Sequence, residues 1–240
     1  MKTIIIIQAR MGSSRLPGKV LMPLGNTVVL DYVVSRCQKL DVNEVVVATS
    51  VLPQDDAIEQ WCAGSGVTCF RGSEDDVLSR YYECAQSYAP DCVIRVTSDC
   101  PFVDVEMAED MIRVMEHTRA DYVKLKGDLP RGLAVEVFAY SALEYIHQHG
   151  TEPRHREHVT YYGYEFAEKF QTAVYEAPAA KCQPQLRITL DTPEDYDLCR
   201  SIAGYFNGDK LVSSEQVIRY LLDHPEVSSI NAHIQQKPVE

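Results

Sequence analysis

From residue 3 to residue 126, short apolar runs suited to strands alternate with amphipathic stretches suited to helices. No other feature constrains the fold as much. "TIIIIQ" (3–8), "EVVVATS" (44–50), "VTCFRG" (67–72), "CVIRVTSD" (92–99) and "DYVKLK" (121–126) read as strands. Between them, residues 27–40 carry Leu30, Val33, Val34 and Cys37 at spacings of three and four, which predicts a helix. Residues 54–66 predict a helix closed by a glycine, and residues 73–88 and 104–117 two more, with Asp104 as an N-cap. Strand–helix alternation with short connections implies an α/β fold: a mostly parallel sheet with helices on both faces. Ligands of such sheets bind beyond the carboxyl ends of the strands.

The rhythm changes after residue 126. Residues 132–140 read as a strand, 141–149 as a helix, "EPRHREHVTYYGYEF" (152–166) as one helix and "TAVYEAP" (172–178) as a strand. "PAAKCQP" reads as a loop, "QLRITLD" (185–191) as a strand that opens a helix, and residues 213–227 as a final helix. Residues 127–180 are therefore expected to leave the sheet, as an excursion for substrate contacts or dimerisation inside a single domain of 1–240.

The formal charge is −12, from 23 basic and 35 acidic residues. That argues against general affinity for nucleic acid. Residues 1–30 nevertheless hold Lys2, Arg10, Arg15 and Lys19 and no acid. A cationic island on an acidic protein points to a small anionic ligand held locally, against the plainer reading of a solvated basic loop. No stretch is long and apolar enough to span a membrane and no signal peptide is evident, so a cytoplasmic protein is expected. The eight cysteines form no C-x-x-C pair. They predict reduced thiols used as small hydrophobes rather than a zinc site.

A strand, a glycine-bearing loop and a helix make a phosphate-binding layout, with backbone N–H groups aimed at the anion. "GSSRLPGKV" (12–20) fails the P-loop pattern twice: five residues separate Gly12 from Gly18, and Val20 stands where the magnesium-holding hydroxyl belongs. The dinucleotide-binding glycine pattern fails as well.

The segment "IIQARMGSSRLPGKVL" resembles the first motif of the cytidylyltransferases that activate acidic sugars, the CMP-acylneuraminate and CMP-3-deoxy-manno-octulosonate synthetases. It is most similar to the spore coat polysaccharide biosynthesis (SpsF) branch. "VVVATS", "FRGSEDDVLSRYY", "RVTSDCPFVD", "REHVT" and "RITLDTPEDYDL" resemble further family segments in family order. The resemblance implies a nucleotide-diphospho-sugar transferase-like fold, a homodimer, magnesium as cofactor, and CTP and an acidic sugar as substrates. It implies that Arg10, Arg15 and Lys19 hold the triphosphate and that Met11, Gly12, Ser13 and Ser14 line phosphates and base.

Asp99 and Asp191 each end an apolar segment and precede a helix. Magnesium takes one or two carboxylates together with phosphate oxygens and waters, and the resemblance assigns the metal to these two. Arg10, Lys19, Asp99 and Asp191 are thus the expected catalytic set. The plainer reading of "DTPED" is a helix start, with Thr192 as N-cap and Asp195 as its return partner; Asp99 has a turn as its plainer reading, and Asp195 and Asp197 read as helix-start charge. Base choice is expected to involve Thr49, Arg71 and Arg80, with a surface ion pair as the rival reading of the arginines. Glu136, Arg156 and His158 are candidate sugar contacts, with a structural histidine or a dimer contact as the alternative. The family commonly has G-L-D-V-E-V where this chain has Ala134, so its sugar can differ.

The expected function is transfer of CMP from CTP to an acidic sugar, with release of pyrophosphate, for a surface polysaccharide. The rivals are a nucleotidyltransferase using another NTP, a glycosyltransferase of the same fold, and a sugar-nucleotide binding protein without catalysis.

Overall fold

The computed structural model describes residues 1–235. In chain order the elements are β1 (Thr3–Gln8), β2 (Pro23–Leu24), β3 (Thr27–Val28), α1 (Val29–Cys37), β4 (Glu44–Ser50), α2 (Asp56–Ser65), β5 (Thr68–Gly72) and α3 (Val77–Gln86). Then come β6 (Cys92–Thr97), α4 (Val105–Thr118), β7 (Tyr122–Lys126), β8 (Glu136–Ala139), α5 (Tyr140–His149), α6 (Pro153–Glu157) and α7 (Tyr161–Glu165). The last are β9 (Thr172–Glu176), α8 (Pro193–Tyr205), α9 (Ser214–Asp223) and α10 (Pro225–Ser228).

Seven strands form one sheet in the order β5-β4-β1-β6-β8-β7-β9. β5, β4, β1 and β6 are mutually parallel, β8 is antiparallel to both β6 and β7, and β9 runs parallel to β7. The isoleucine run of β1 explains why this strand sits inside. Ile5 and Ile7 enter the core on one face, with Val47, Ile94, Leu30 and Met111. Ile4 and Ile6 enter the other, with Val46, Leu78, Tyr81 and Ile146. All four are fully buried, as alternation across a doubly covered strand requires. A third apolar cluster, built on Leu186, Ile188, Leu190, Leu198 and Val217, joins the C-terminal helices to Leu24 and Tyr32.

The structure departs from the sequence reading in several places. Helix α1 begins at Val29, because residues 23–28 form a small hairpin around Gly25 (φ 57°). The helix expected over 152–166 is two short helices, broken at Val159 (φ 44°). Residues 185–191 form no regular strand: after a turn ending at Gln185 the stretch makes one isolated bridge, between Arg187 and Arg131. Finally, residues 136–139 and 172–176, inside the expected excursion, belong to the main sheet. Every sheet strand before β6 runs parallel to β1, and β6 flanks β1 on the side away from β4. Sequential crossovers therefore diverge at β1, and a crevice opens beyond its carboxyl end.

Candidate active site

The chain leaves β1 into that crevice. Ala9 still pairs with Ala48 (3.1 Å), after which the loop closes on itself: the Met11 carbonyl accepts from the amides of Ser13 and Gly18, both at 2.9 Å. Gly18 is left-handed (φ 72°), which a glycine tolerates, and it turns the chain into a short 3-10 turn, Lys19–Leu21. Asp55, fully buried, anchors the loop from the side by accepting from the Met11 amide at 2.7 Å and the Ser50 hydroxyl at 2.5 Å. The amides of Gly12, Ser14 and Arg15 donate to no described residue, so the loop presents free N–H groups as an anion cradle does.

Lys19 is the central side chain. Its Nζ donates to Asp99 Oδ2 (3.0 Å), Asp191 Oδ1 (2.9 Å) and the Leu190 carbonyl (2.7 Å). Burial disfavours its charge, but Asp99 and Asp191 outweigh that and hold the ammonium above the usual lysine range. Burial also works against the Asp99 carboxylate; Lys19, Thr97 and Cys100 outweigh it and hold Asp99 below the usual aspartate range. The two aspartates meet because the chain after residue 186 is laced to both neighbours. The Ile188 amide donates to the Arg131 carbonyl (2.8 Å), and the Leu190 amide to the Asp99 carbonyl (2.8 Å). Gly132 makes this crossing possible: a Cβ there would stand 2.7 Å from the Thr189 amide nitrogen, and its φ of 102° suits glycine.

The helix start in "DTPED" uses Thr192 and Asp195 and not the Asp191 side chain. Thr192 and Asp195 form the reciprocal capping box of α8, and Asp191, one residue earlier, faces Lys19. Asp195 does more than start a helix. It is fully buried and receives the Arg187 fork (2.8 and 2.9 Å) and the amides of Asp191 (2.9 Å) and Thr192 (3.1 Å). Arg187 also reaches Asp191 Oδ2 at 3.1 Å, where Arg15 makes an ion pair of the same length. Asp197 is exposed and pairs with Arg200.

A cavity of about 560 Å³ lies over this centre. Arg10, Ser13, Ser14, Arg15 and Lys19 line one side of it and Asp99 and Asp191 the base. Arg80 and His158 also reach it. Burial lowers the His158 pKa, which favours the neutral imidazole. Met11 and Gly12 contribute loop backbone outside the lining. Thr49 is fully buried, and its hydroxyl has no partner among the described residues. Two expected contacts lie elsewhere. Arg71 turns to α2, pairing with Asp56 (2.6 Å) and Glu59 (2.8 Å), so the surface ion-pair reading holds for it. Arg156 bridges α6 to the N-terminus of α3 through Asp76 (2.5 and 2.9 Å) and Ser79 (2.6 Å). Glu136 stands behind the cavity, hydrogen-bonded to Arg95 and to the Thr160 hydroxyl (2.9 Å).

Arg95 and Arg131 line the cavity and escaped the sequence reading. Arg95 is a charge inside an apolar strand, and its separation of 41 residues from Glu136 carries no local pattern. Arg131 stands before Gly132 in a stretch with no periodicity.

A family model described as cytidylyltransferase matches residues 4–226. This chain belongs to the cytidylyltransferase family. It is an enzyme, a nucleotidyltransferase. Among relatives, the spore coat polysaccharide biosynthesis protein SpsF of Bacillus subtilis is 36% identical over 232 residues, covering 94% of this chain and 96% of SpsF. A 3-deoxy-manno-octulosonate cytidylyltransferase of Agrobacterium fabrum is 30% identical over 128 residues, 52% of this chain and 50% of that one. The solved structure of a cytidylyltransferase from Leptospira borgpetersenii superposes with a TM-score of 0.89 at 32% identity, covering 99% of this chain and all of that one. The cytidylyltransferase described here thus shares both the sequence and the mixed, mostly parallel sheet of its relatives. No helix among its described residues is long and apolar enough to cross a membrane.

The donors at the cavity base suit a hard divalent ion. Asp99 and Asp191 offer carboxylate oxygens a single ammonium apart. No group of three or more acidic, histidine or cysteine side chains that could hold a metal occurs among the described residues. Two carboxylates without a full protein cage match an ion completed by substrate phosphate and water, as magnesium is.

Proposed function

We propose that this cytidylyltransferase transfers CMP from CTP to a hydroxyl of an acidic sugar, releases pyrophosphate, and serves surface polysaccharide synthesis. One observation carries the reading: the cationic loop and the Asp99–Asp191 pair meet on the Lys19 ammonium at the base of one cavity. The names of the relatives from B. subtilis and A. fabrum support the sugar class and the pathway class.

The chemistry follows from charge placement. A triphosphate laid along residues 10–19 would meet Arg10, Arg15, Lys19 and the free loop amides. Together they offset charge on the departing pyrophosphate. Asp99 and Asp191 would hold magnesium, which supplies Lewis-acid polarisation of the reacting phosphate. Arg187 and Asp195 keep Asp191 in place. The acceptor would enter from the side of Arg95, Arg131, Ala134 and His158, which puts its hydroxyl near the aspartates. Fixed positions for both substrates supply much of the rate in such a transfer. We assign acceptor contacts and a homodimer contact to residues 127–180 of this single domain, where Tyr145, Tyr164 and Val174 are exposed.

Pyrophosphate release tests the reading. The enzyme is incubated with magnesium, one of CTP, UTP, GTP or ATP, and 3-deoxy-manno-octulosonate or N-acetylneuraminate. Release with CTP and an acid, absent with matched neutral sugars, is expected. Turnover with UTP or GTP in preference to CTP, or with neutral sugars only, overturns it.

A further inference from the structure

The Lys19 ammonium lies where the Asp99 and Asp191 carboxylates converge. Its contacts with Asp99 Oδ2 (3.0 Å), Asp191 Oδ1 (2.9 Å) and the Leu190 carbonyl (2.7 Å) use all three of its N–H groups. None is left to donate to a phosphate. The carboxylates are committed as well. Asp191 Oδ2 faces Arg15 and Arg187, both at 3.1 Å, and Asp99 Oδ1 faces the Cys100 thiol at 3.6 Å. Lys19 cannot fill this seat and hold a triphosphate in the same arrangement.

The charges balance. Among the described residues, Lys19, Arg15 and Arg187 match Asp99, Asp191 and Asp195 one for one around the seat. Such a cluster has no surplus negative charge to attract a dication. Lys19 is nevertheless able to leave. It stands at the start of the short turn entered through Gly18, on a flexible four-carbon stem, and it lines the cavity beside Arg10 and Arg15. Its departure would strand two carboxylates that are only 26% and 14% exposed. That is costly unless another cation takes its place.

We propose that Lys19 is a removable stand-in for the divalent ion. In the nucleotide-free enzyme its ammonium keeps Asp99 and Asp191 paired and shuts other cations out. A triphosphate arriving along residues 10–19 draws the ammonium onto its own oxygens, and only then do the two aspartates accept a dication. Lys19 thus couples the two sites, so that metal and nucleotide each tighten the binding of the other. This inference rests on the assignment of the ion to Asp99 and Asp191 above.

Manganese(II) binding without nucleotide, followed by the electron paramagnetic resonance signal of the free ion, tests it on the full chain. The wild type should bind weakly. Lys19→Met should bind at least about tenfold more tightly, because a cation in contact with the seat is gone. Adding Asp191→Asn to that variant should remove the gain. Lys19→Gln, also uncharged, should show the same gain and provides a readout if the methionine variant folds poorly. Equal affinity, or no binding, in the wild type and both single variants overturns the stand-in role. A gain that survives Asp191→Asn overturns the metal assignment with it. The assay contains no nucleotide, so the CTP reading stands or falls separately, by pyrophosphate release.

Discussion

Replacing Lys19 by methionine keeps the aliphatic stem and removes the ammonium that joins Asp99, Asp191 and Leu190. Asp191 keeps Arg15 and Arg187, but Asp99 has no other ion-pair partner among the described residues. Removing one member of a buried ion pair costs about 3–5 kcal/mol, and that is an upper limit here because Asp99 keeps 26% of its side chain exposed. The pH dependence has a definite sign. In the wild type the Asp99 pKa is depressed; its stabilisation is complete above the unfolded value, near 3.9, and is lost as pH falls through the lower folded value. In Lys19→Met burial acts on Asp99 with only the Thr97 and Cys100 hydrogen bonds to offset it. Its folded pKa rises relative to the wild type, so the variant loses less stability than the wild type as the pH falls. The raised Lys19 pKa is consistent: that stabilisation is complete below the ordinary lysine value and is lost only at alkaline pH. Urea unfolding in EDTA at pH 7 and pH 4 should show a gap of at most about 3–5 kcal/mol that narrows at the lower pH. A gap under about 1 kcal/mol, the range of an exposed pair, or one that ignores pH would refute the reasoning.

Asp191→Ala should lower turnover by about a hundredfold or more while the capping box of α8 keeps the protein folded; circular dichroism and pyrophosphate release check both, and normal turnover removes the metal assignment. Gly132→Ala forces a Cβ against the Thr189 amide nitrogen at 2.7 Å. It should cost about 1–3 kcal/mol and lower turnover, because the same crossing carries Asp191; an unchanged melting temperature would count against the steric account.

Regular structure was legible where periodicity was unambiguous. The isoleucines of β1 announce a strand buried on both faces, and Asp104 and Thr192 cap α4 and α8 where the sequence placed them. Residues 185–191 look like a strand for a physical reason. Residues 186–190 are all buried, with apolar side chains at alternate positions as in a strand, but the Ile188 and Leu190 amides donate to the Arg131 and Asp99 carbonyls rather than to a ladder. An apolar pattern reports burial and not pairing. In the site, short-range chemistry was readable: the cations of the first loop, and aspartates ahead of helices. Long-range pairing was not. Nothing near Arg71 distinguishes an arginine facing a ligand from one facing α2, and nothing near Arg95 reveals Glu136.

The Lys19 contacts also bear on how the protein reaches its working form. They tie residues 80 and 172 positions apart. Closing loops of that length is slow compared with forming helices and neighbouring strand pairs. A folding chain whose central strands have assembled, but whose segment after residue 186 has not docked, holds Lys19 and Asp99 without Asp191. Such a species has much of its native core and only one of the two carboxylates. Recovery of turnover during refolding should therefore lag recovery of helical signal, and the lag measures the docking of one short extended segment.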